Sequence, residues 1–541
     1  MSSHSRSYRT FRLVLPMGVC AAVCAPAYAA PPPVAGANAL QTSVFNGVFT
    51  MCTQFLDGKT FRDAATTDLH DQCHAIAVSA LTQNTGFSTQ AQALGALQMV
   101  SGNQVTTQGS LATRVSSGQF ANISGRLTAL RFGAGNAISH GSLANNGSSP
   151  SGTQSFYIDR SMLDRGASNS SSQPVTSAFS PTSEGSFVNT GFLNDDSVRL
   201  LSDGGTGGGT SVSAPQVSNP WGVFVQGSYN SGHHDLTANE DPFDFHATSI
   251  TAGLDYNFGP GVIGASIGYD DYDAGFRPSG LTVGGGNSRV EGTSASIYGA
   301  WFSDTWTFNG IASYGRLHTS LSRQVSYTLA FPDATDPDPQ QNLKASDACT
   351  GAGVACATTV NRQLHGDPSG SSIALGATAG YQLSTAGFDL LPQVTVAYRR
   401  ATIDSFNERD DQDPADGLPL AFNDQVVDSL RSVLGMDVSR PISAPFGVLT
   451  PLLHVEWDHE FHTSGPNITA HYVLDPSLLT GGCASCFRLP TDNASANYGV
   501  AGLGVSTTLA HRVQAFVYDE VLFGYSNYHS NTVSLGLRAQ F

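Results

Sequence analysis

The sequence predicts a mainly β protein: a 12-stranded antiparallel transmembrane β-barrel, preceded by a small helical amino-terminal region and a Ser/Gly-rich connector. Three observations carry that expectation. From Trp221 onward, segments of roughly ten residues alternate apolar and polar side chains between turn residues, as strands with lipid on one face and water on the other must. The connections between these segments alternate in length, short then long, as periplasmic turns and external loops do. The last segment, VSLGLRAQF at 533–541, puts Val533, Leu535, Leu537, Ala539 and Phe541 on one face and Ser534, Gly536, Arg538 and Gln540 on the other. A water-exposed edge strand of this kind invites aggregation, whereas a closing barrel strand paired with the one that begins at Trp221 has no free edge.

Residues 1–29 read as a secretory signal: Arg6, Arg9 and Arg12, then LVLPMGVCAAVCAPAYA ending in the small-x-small triplet Ala27, Tyr28, Ala29. Its removal leaves Cys52, Cys73, Cys349, Cys356, Cys483 and Cys486, an even set whose close spacing suggests three local disulfides formed in an oxidising compartment. Six cysteines permit fifteen connectivities, so pairing by neighbours is an expectation from spacing alone.

Residues 30–135 form the helical region, a short passenger or junction, in which Ile123, Leu127 and Leu130 recur at helical spacing. Gly95, Gly102, Gly109, Gly118 and Gly125 weaken such a helix in isolation, so it needs a surface to pack on. Residues 136–219, with SNSSSQP and SDGGTGGGTSVSAP, read as a connector because that composition buries little. Residues 220–541 hold the barrel, with strands expected near 221–229, 245–258, 261–273, 287–302, 304–318, 370–384, 387–402, 424–439, 446–462, 494–508, 511–525 and 529–541. The intervening long loops fall at 230–244, 274–286, 319–369, 403–423 and 463–493.

The strand LLHVEWDHEFH assigns the faces. Leu453, Val455, Trp457 and Phe461 alternate with the ionisable row His454, Glu456, Asp458, Glu460 and His462, and charge at the bilayer midplane is costly, so the row is expected to face the lumen. Successive same-face residues stand nearly 7 Å apart, too far for one compact metal shell, and lumenal polarity accounts for the row better than a metal. GASIG, residues 264–268, matches a nucleophile-elbow pattern, but Gly264, Ser266 and Gly268 alternate along a strand instead of turning sharply into a helix, so no catalytic role is expected for Ser266. The C-x-x-C of Cys483 and Cys486 lacks a second ligand pair and reads as a disulfide. The acidic loop 404–417 reads as solvated surface in preference to a calcium site. No cofactor is expected. Only 12% of residues are charged, net charge is −17, and Lys59 and Lys344 are the only lysines, which excludes a polybasic nucleic-acid surface.

Trp221-Gly222, TAGLDYNFGPGVIGASIGYD, SLRSVLGMDVSR, GVLTPLLHVEWDHEF and the closing VSLGLRAQF together resemble the translocator barrel of the autotransporter (type V secretion) family. That resemblance implies an outer-membrane barrel in contact with lipid and lipopolysaccharide, reached by Sec-type export through the periplasm with periplasmic chaperones, and inserted by the barrel-assembly machinery with Phe541 as part of the assembly signal. It implies translocation or display of an amino-terminal segment. The stretch ALGALQMVSGNQVTTQGSLATRVSSGQFANISGRLTALR is similar to the junction helix of such barrels but departs from it, having no Asp or Glu between Gln90 and His140 and only Arg114, Arg126 and Arg131 as charges. That basic balance would complement an acidic lumen if a helix threads the pore. Some members cleave their passenger with lumenal carboxylates, for which Glu456, Asp458 and Glu460 are weak candidates given the altered junction. No GDSL block and no β-helix repeat is present, so an enzyme passenger is not expected. The rival readings are an adhesin acting on an unknown host or surface ligand through its long loops, and a porin-like channel without cargo.

Overall fold

A computed structural model describes residues 31–56, 63–81, 88–130, 220–278, 280, 284–303, 305–332, 355–509 and 513–540. The signal segment, the connector 136–219, Arg131, Cys349 and Phe541 lie outside the described residues.

Twelve strands form the barrel wall, in chain order: β1 (Trp221–His234), β2 (Phe243–Asn257), β3 (Gly261–Phe276), β4 (Gly286–Phe302), β5 (Trp306–Pro332) and β6 (Ser369–Tyr381). They continue with β7 (Phe388–Ile403), β8 (Gln425–Ser439), β9 (Gly447–Glu460), β10 (Asn497–Leu509), β11 (Val513–Phe523) and β12 (Tyr528–Gln540). Each pairs antiparallel with its sequence neighbour, and β12 returns to β1 in the register Val225↔Leu537, which closes the cylinder. Closure satisfies every strand edge, the condition for a β-structure to sit in lipid.

Period-two alternation then sorts the faces. Ile267, Ile297, Leu503, Leu535 and Leu537 are 58–70% exposed on the outer wall, a cost in water and a match to a bilayer. Aromatic residues rim that band at the short-turn end, where Trp221 packs on Tyr256 at 5.0 Å and Trp306 on Tyr381 at 5.0 Å. No described helix is long and apolar enough to cross a membrane; the strands make the crossing.

The expected loop 319–369 needs correction. β5 runs on beyond the barrel wall to Pro332 and pairs with a strand at Ala355–Gly366, from Leu321↔Gly366 to Pro332↔Ala355. Leu321, Val325 and Leu329 are buried along one face of this extension, with Arg323 in the same row. The loops at 403–423 and 463–493 likewise contain structure: Phe406–Asn407, Leu420–Phe422, Asn467–Tyr472 and Phe487–Pro490 form a separate four-stranded sheet.

These outer elements receive the amino-terminal helices α1 (Ala39–Met51), α2 (Ala64–Leu81) and α3 (Gln90–Val100). Asn38 and Thr89 start α1 and α3 with reciprocal caps to Gln41 and Gln92, satisfying two otherwise orphaned N–H groups at each start. The helices share one apolar core with the loops: Val44, Val48, Leu69, Ile76 and Leu97 pack with Val325, Leu329, Leu420, Phe422 and Leu489. A disulfide joins Cys52 to Cys73, tying the residue after α1 to the middle of α2, and another joins Cys483 to Cys486 in the loop beside them. The cap is therefore built jointly by the chain's beginning and the barrel's long loops.

Candidate functional site

A fourth helix, α4 (Thr106–Leu130), leaves the cap and runs down the inside of the barrel. A 3₁₀ turn at Asn103–Val105 precedes it, and Asp241 in the β1–β2 loop accepts a hydrogen bond from Asn103 Nδ2 at 2.7 Å. Taken alone, α4 has too much glycine, serine and threonine to be stable; packed against a wall, those small residues permit close approach. A Cβ on Gly109 would stand 2.6 Å from Val427 Cγ2, and one on Gly125 3.0 Å from Gln226 Nε2.

Two kinds of contact hold α4. Ile123 and Leu127, one turn apart, are fully buried with Phe224, Val262, Tyr298 and Ile311 of the inner wall. On a neighbouring face, Gln119, Asn122 and Arg126 address β2 in succession. Thr251 Oγ1 donates to Gln119 at 2.7 Å, Asn122 Nδ2 donates to Thr251 Oγ1 at 2.8 Å, and Arg126 Nε donates to Asp255 at 3.1 Å. Arg126 and Asp255 are both almost fully buried, so each charge depends on the other. The apolar repeat and the basic balance of α4 are legible in the sequence; Gln119 and Asn122 are marked there only by their spacing of three and then four residues up to Arg126, that of a single helix face.

The helix packs against β1 to β8 and leaves a cavity of about 1080 Å³ on the β9–β12 side. There stands the ionisable row. His454, Glu456, Asp458 and Glu460 point inward while Leu453, Val455 and Trp457 are exposed on the outer wall; His462 lies beyond β9 and is exposed. The row's partners come from the wall. His454 bonds Asp437 and, at 3.1 Å, Glu456; Arg431 donates to Asp458 at 2.9 Å; Ser429 Oγ donates to Glu460 at 2.6 Å. The arginines of α4 go elsewhere, Arg126 to Asp255 and Arg114 onto the Tyr528 ring at 3.4 Å. Ser266 sits in the small-residue stretch of β3, and a Cβ at Gly268 would overlap Gln119, so that stretch makes room for α4.

The autotransporter beta-domain model matches residues 223–342 and 349–518, more than half of the chain. The chain belongs to the autotransporter family. Its fold is similar to the translocator domain of autotransporter NalP from Neisseria meningitidis, with 17% identity over 60% of this chain and 89% of that one, TM-score 0.41. The beta domain of the Bordetella autotransporter BrkA is similar at 16% identity over 60% of this chain and 100% of that one, TM-score 0.37. For the transport unit of AIDA-I from Escherichia coli the values are 13%, 60% and 91%, TM-score 0.39. No curated relative matches the chain in sequence.

Membership makes this an outer-membrane translocator barrel of a Gram-negative cell. In autotransporter barrels the turns between strands are short at one end and the loops long at the other; here α4 begins at the long-loop end, where α1–α3 pack on the loops. One contact of that cap is pH-sensitive. Arg362 faces Asp68 of α2 at 3.4 Å, Asp413 at 3.3 Å and Asp416 at 3.8 Å, one cation for three acids, with Asp410 also near. Burial is the main cause that pushes the Asp416 carboxyl up to about 6, Arg362 opposing it. A carboxyl whose folded value is raised favours the docked state when protonated, so this contribution is present in acid and lost as pH rises through about 6. Protease resistance of the cap is expected to be greater near pH ~5 than near pH ~8, and Asp416→Asn is expected to flatten the difference.

Proposed function

We propose that the barrel delivers residues 31–105 to the cell surface and keeps them there as a docked cap, with α4 remaining uncut in the pore as tether and plug. What supports this reading is the direction of α4: its first residue lies at the loop end beside the cap and its Arg126 reaches Asp255, near the short-turn end of β2. Glu456, Asp458 and Glu460 are engaged by wall residues, and Asn122 of α4 is bonded to β2, so these groups do not converge on the helix as a cleavage site would. The ionisable row then keeps the remaining lumen wet.

Delivery follows Sec-type export and periplasmic chaperoning, and insertion uses the barrel-assembly machinery with Phe541 in the signal it reads. The channel reading gives way because α4 occupies the bore; the adhesin reading remains compatible with a displayed cap. An epitope inserted after residue 60 is expected to bind antibody on intact cells, on a chain whose full length is retained. Binding only after permeabilisation, or release of the amino-terminal region into the medium, would contradict the proposal.

A further inference from the structure

We propose that His234, Glu240 and Asp492 form a binding site for a divalent transition metal of the zinc type at the outer mouth of the pore. His234 ends β1, Glu240 lies in the β1–β2 loop, and Asp492 comes from the β9–β10 loop. His234 Nε2 stands 3.7 Å from Glu240 Oε2 and 3.6 Å from Asp492 Oδ2. Those separations are too long for hydrogen bonds. They are close to the ~3.4 Å edge of a tetrahedron whose bonds are ~2.1 Å, the length of zinc bonds to imidazole and carboxylate.

The three donor atoms are held in place by other groups. Phe243 stacks on the imidazole of His234 at 5.1 Å and 6°, fixing its plane. Thr237 Oγ1 accepts from the Glu240 backbone N at 2.9 Å, which folds the loop so that Glu240 turns inward. Glu240 Oε1 then accepts from Asp492 N at 3.0 Å, and Asp492 Oδ1 accepts from Asn239 Nδ2 at 3.1 Å. Each carboxylate is thus oriented through one oxygen and presents the other toward His234, the arrangement in which outer groups aim metal ligands.

Burial supplies an independent observation. The side chains of His234 and Glu240 are each only 8% exposed and that of Asp492 22%, and Asp492 Oδ2 is itself a buried oxygen without a hydrogen-bond partner. Two acids turned toward one imidazole, largely out of water, are costly until a cation compensates them. Arg114 is near, but its guanidinium lies over the Tyr528 ring. One nitrogen and two carboxylate oxygens suit zinc; calcium takes six to eight oxygens and magnesium a mostly hydrated octahedron. All three residues line the pore cavity, which leaves a position for water. Bound metal would staple two external loops together, next to the Asp241–Asn103 bond that positions the start of α4.

The test uses the mature full-length protein in detergent, carrying no histidine tag, titrated with Zn²⁺ by calorimetry and with Co²⁺ by visible absorption. One ion per chain is expected, with the intense absorption of four-coordinate Co²⁺. His234→Ala and the near-isosteric Asp492→Asn are each expected to weaken binding at least about tenfold. A second, exposed cluster of His233, Asp235 and His529 lies beside the site, so the double variant His233→Ala/His529→Ala is included and is expected to retain the ion. Asp492→Asn preserves shape, and the heat-dependent gel mobility of the folded barrel checks each variant. The proposal is overturned if no stoichiometric ion is taken up, if folded Asp492→Asn binds as the parent does, or if binding disappears in the double variant while persisting in His234→Ala.

Discussion

Barrels lacking residues 31–130 are expected to conduct ions several-fold better in planar bilayers than the full chain. A helix with its side chains is ~10–12 Å across, a large part of the bore of a small barrel. In this protein α4 lies against β1 to β8 and leaves a cavity of about 1080 Å³ beside β9–β12. Its removal would expose a lumen lined by Arg399, Arg431, Asp437, His454 and Glu456, side chains that keep water in place. A deletion confined to residues 31–105 separates plug from cap: it is expected to stay near the low conductance of the parent because α4 remains. Equal conductance from all three proteins would remove α4 from the bore.

Replacing Arg323 by alanine should undock the cap while leaving the barrel closed. Arg323 is about 2% exposed and sits on the β5 extension, where its guanidinium donates to both oxygens of Glu408 at 2.6 and 2.7 Å and to Met99 O of α3 at 3.0 Å. Glu408 also accepts from Leu420 N of the outer sheet at 3.0 Å. One guanidinium thus joins the hairpin, the outer sheet and the helices. Breaking such a pair leaves a buried carboxylate without its cation, a loss of roughly 3–5 kcal/mol. Lysine offers no bidentate fork, so Arg323→Lys should recover little. Limited proteolysis is the measurement: cleavage within α1–α3 is expected to accelerate strongly, with the barrel's heat-dependent gel mobility unchanged. Parent-like resistance in Arg323→Ala would show that the cap is held by its apolar core alone.

The barrel was legible because lipid imposes a rule on every second residue. In β9 the alternation of Leu453, Val455 and Trp457 with His454, Glu456 and Asp458 could be read directly, and the alternation of short turns with long loops supported the count of twelve strands. The β5 extension escaped that reading because it lies outside the membrane, where its inward row mixes Leu321 and Val325 with a buried arginine. Its apolar face is set by helices packed on it from far earlier in the chain, and period two alone does not announce that. Ile123 and Leu127 marked a helix that needed a surface, but which surface was decided by Gln119, Asn122 and Arg126 finding Thr251 and Asp255, over 125 positions away. The same distance hid the cluster at the mouth, since Asp492 and His234 become neighbours only when the cylinder closes.

An engineered cross-link between helix and wall tests the occupied pore most directly. A Cβ built on Gly118 of α4 stands 3.4 Å from Ser249 Cβ of β2, near the ~3.5–4.5 Å that a disulfide spans. Gly118→Cys/Ser249→Cys, isolated from outer membranes without reductant, is expected to form an intramolecular disulfide, seen as a mobility shift that reductant reverses and that neither single variant gives. Two free thiols in a correctly inserted barrel would mean that α4 does not lie where the lumen places it, and the plugged, surface-capped barrel would have to be abandoned.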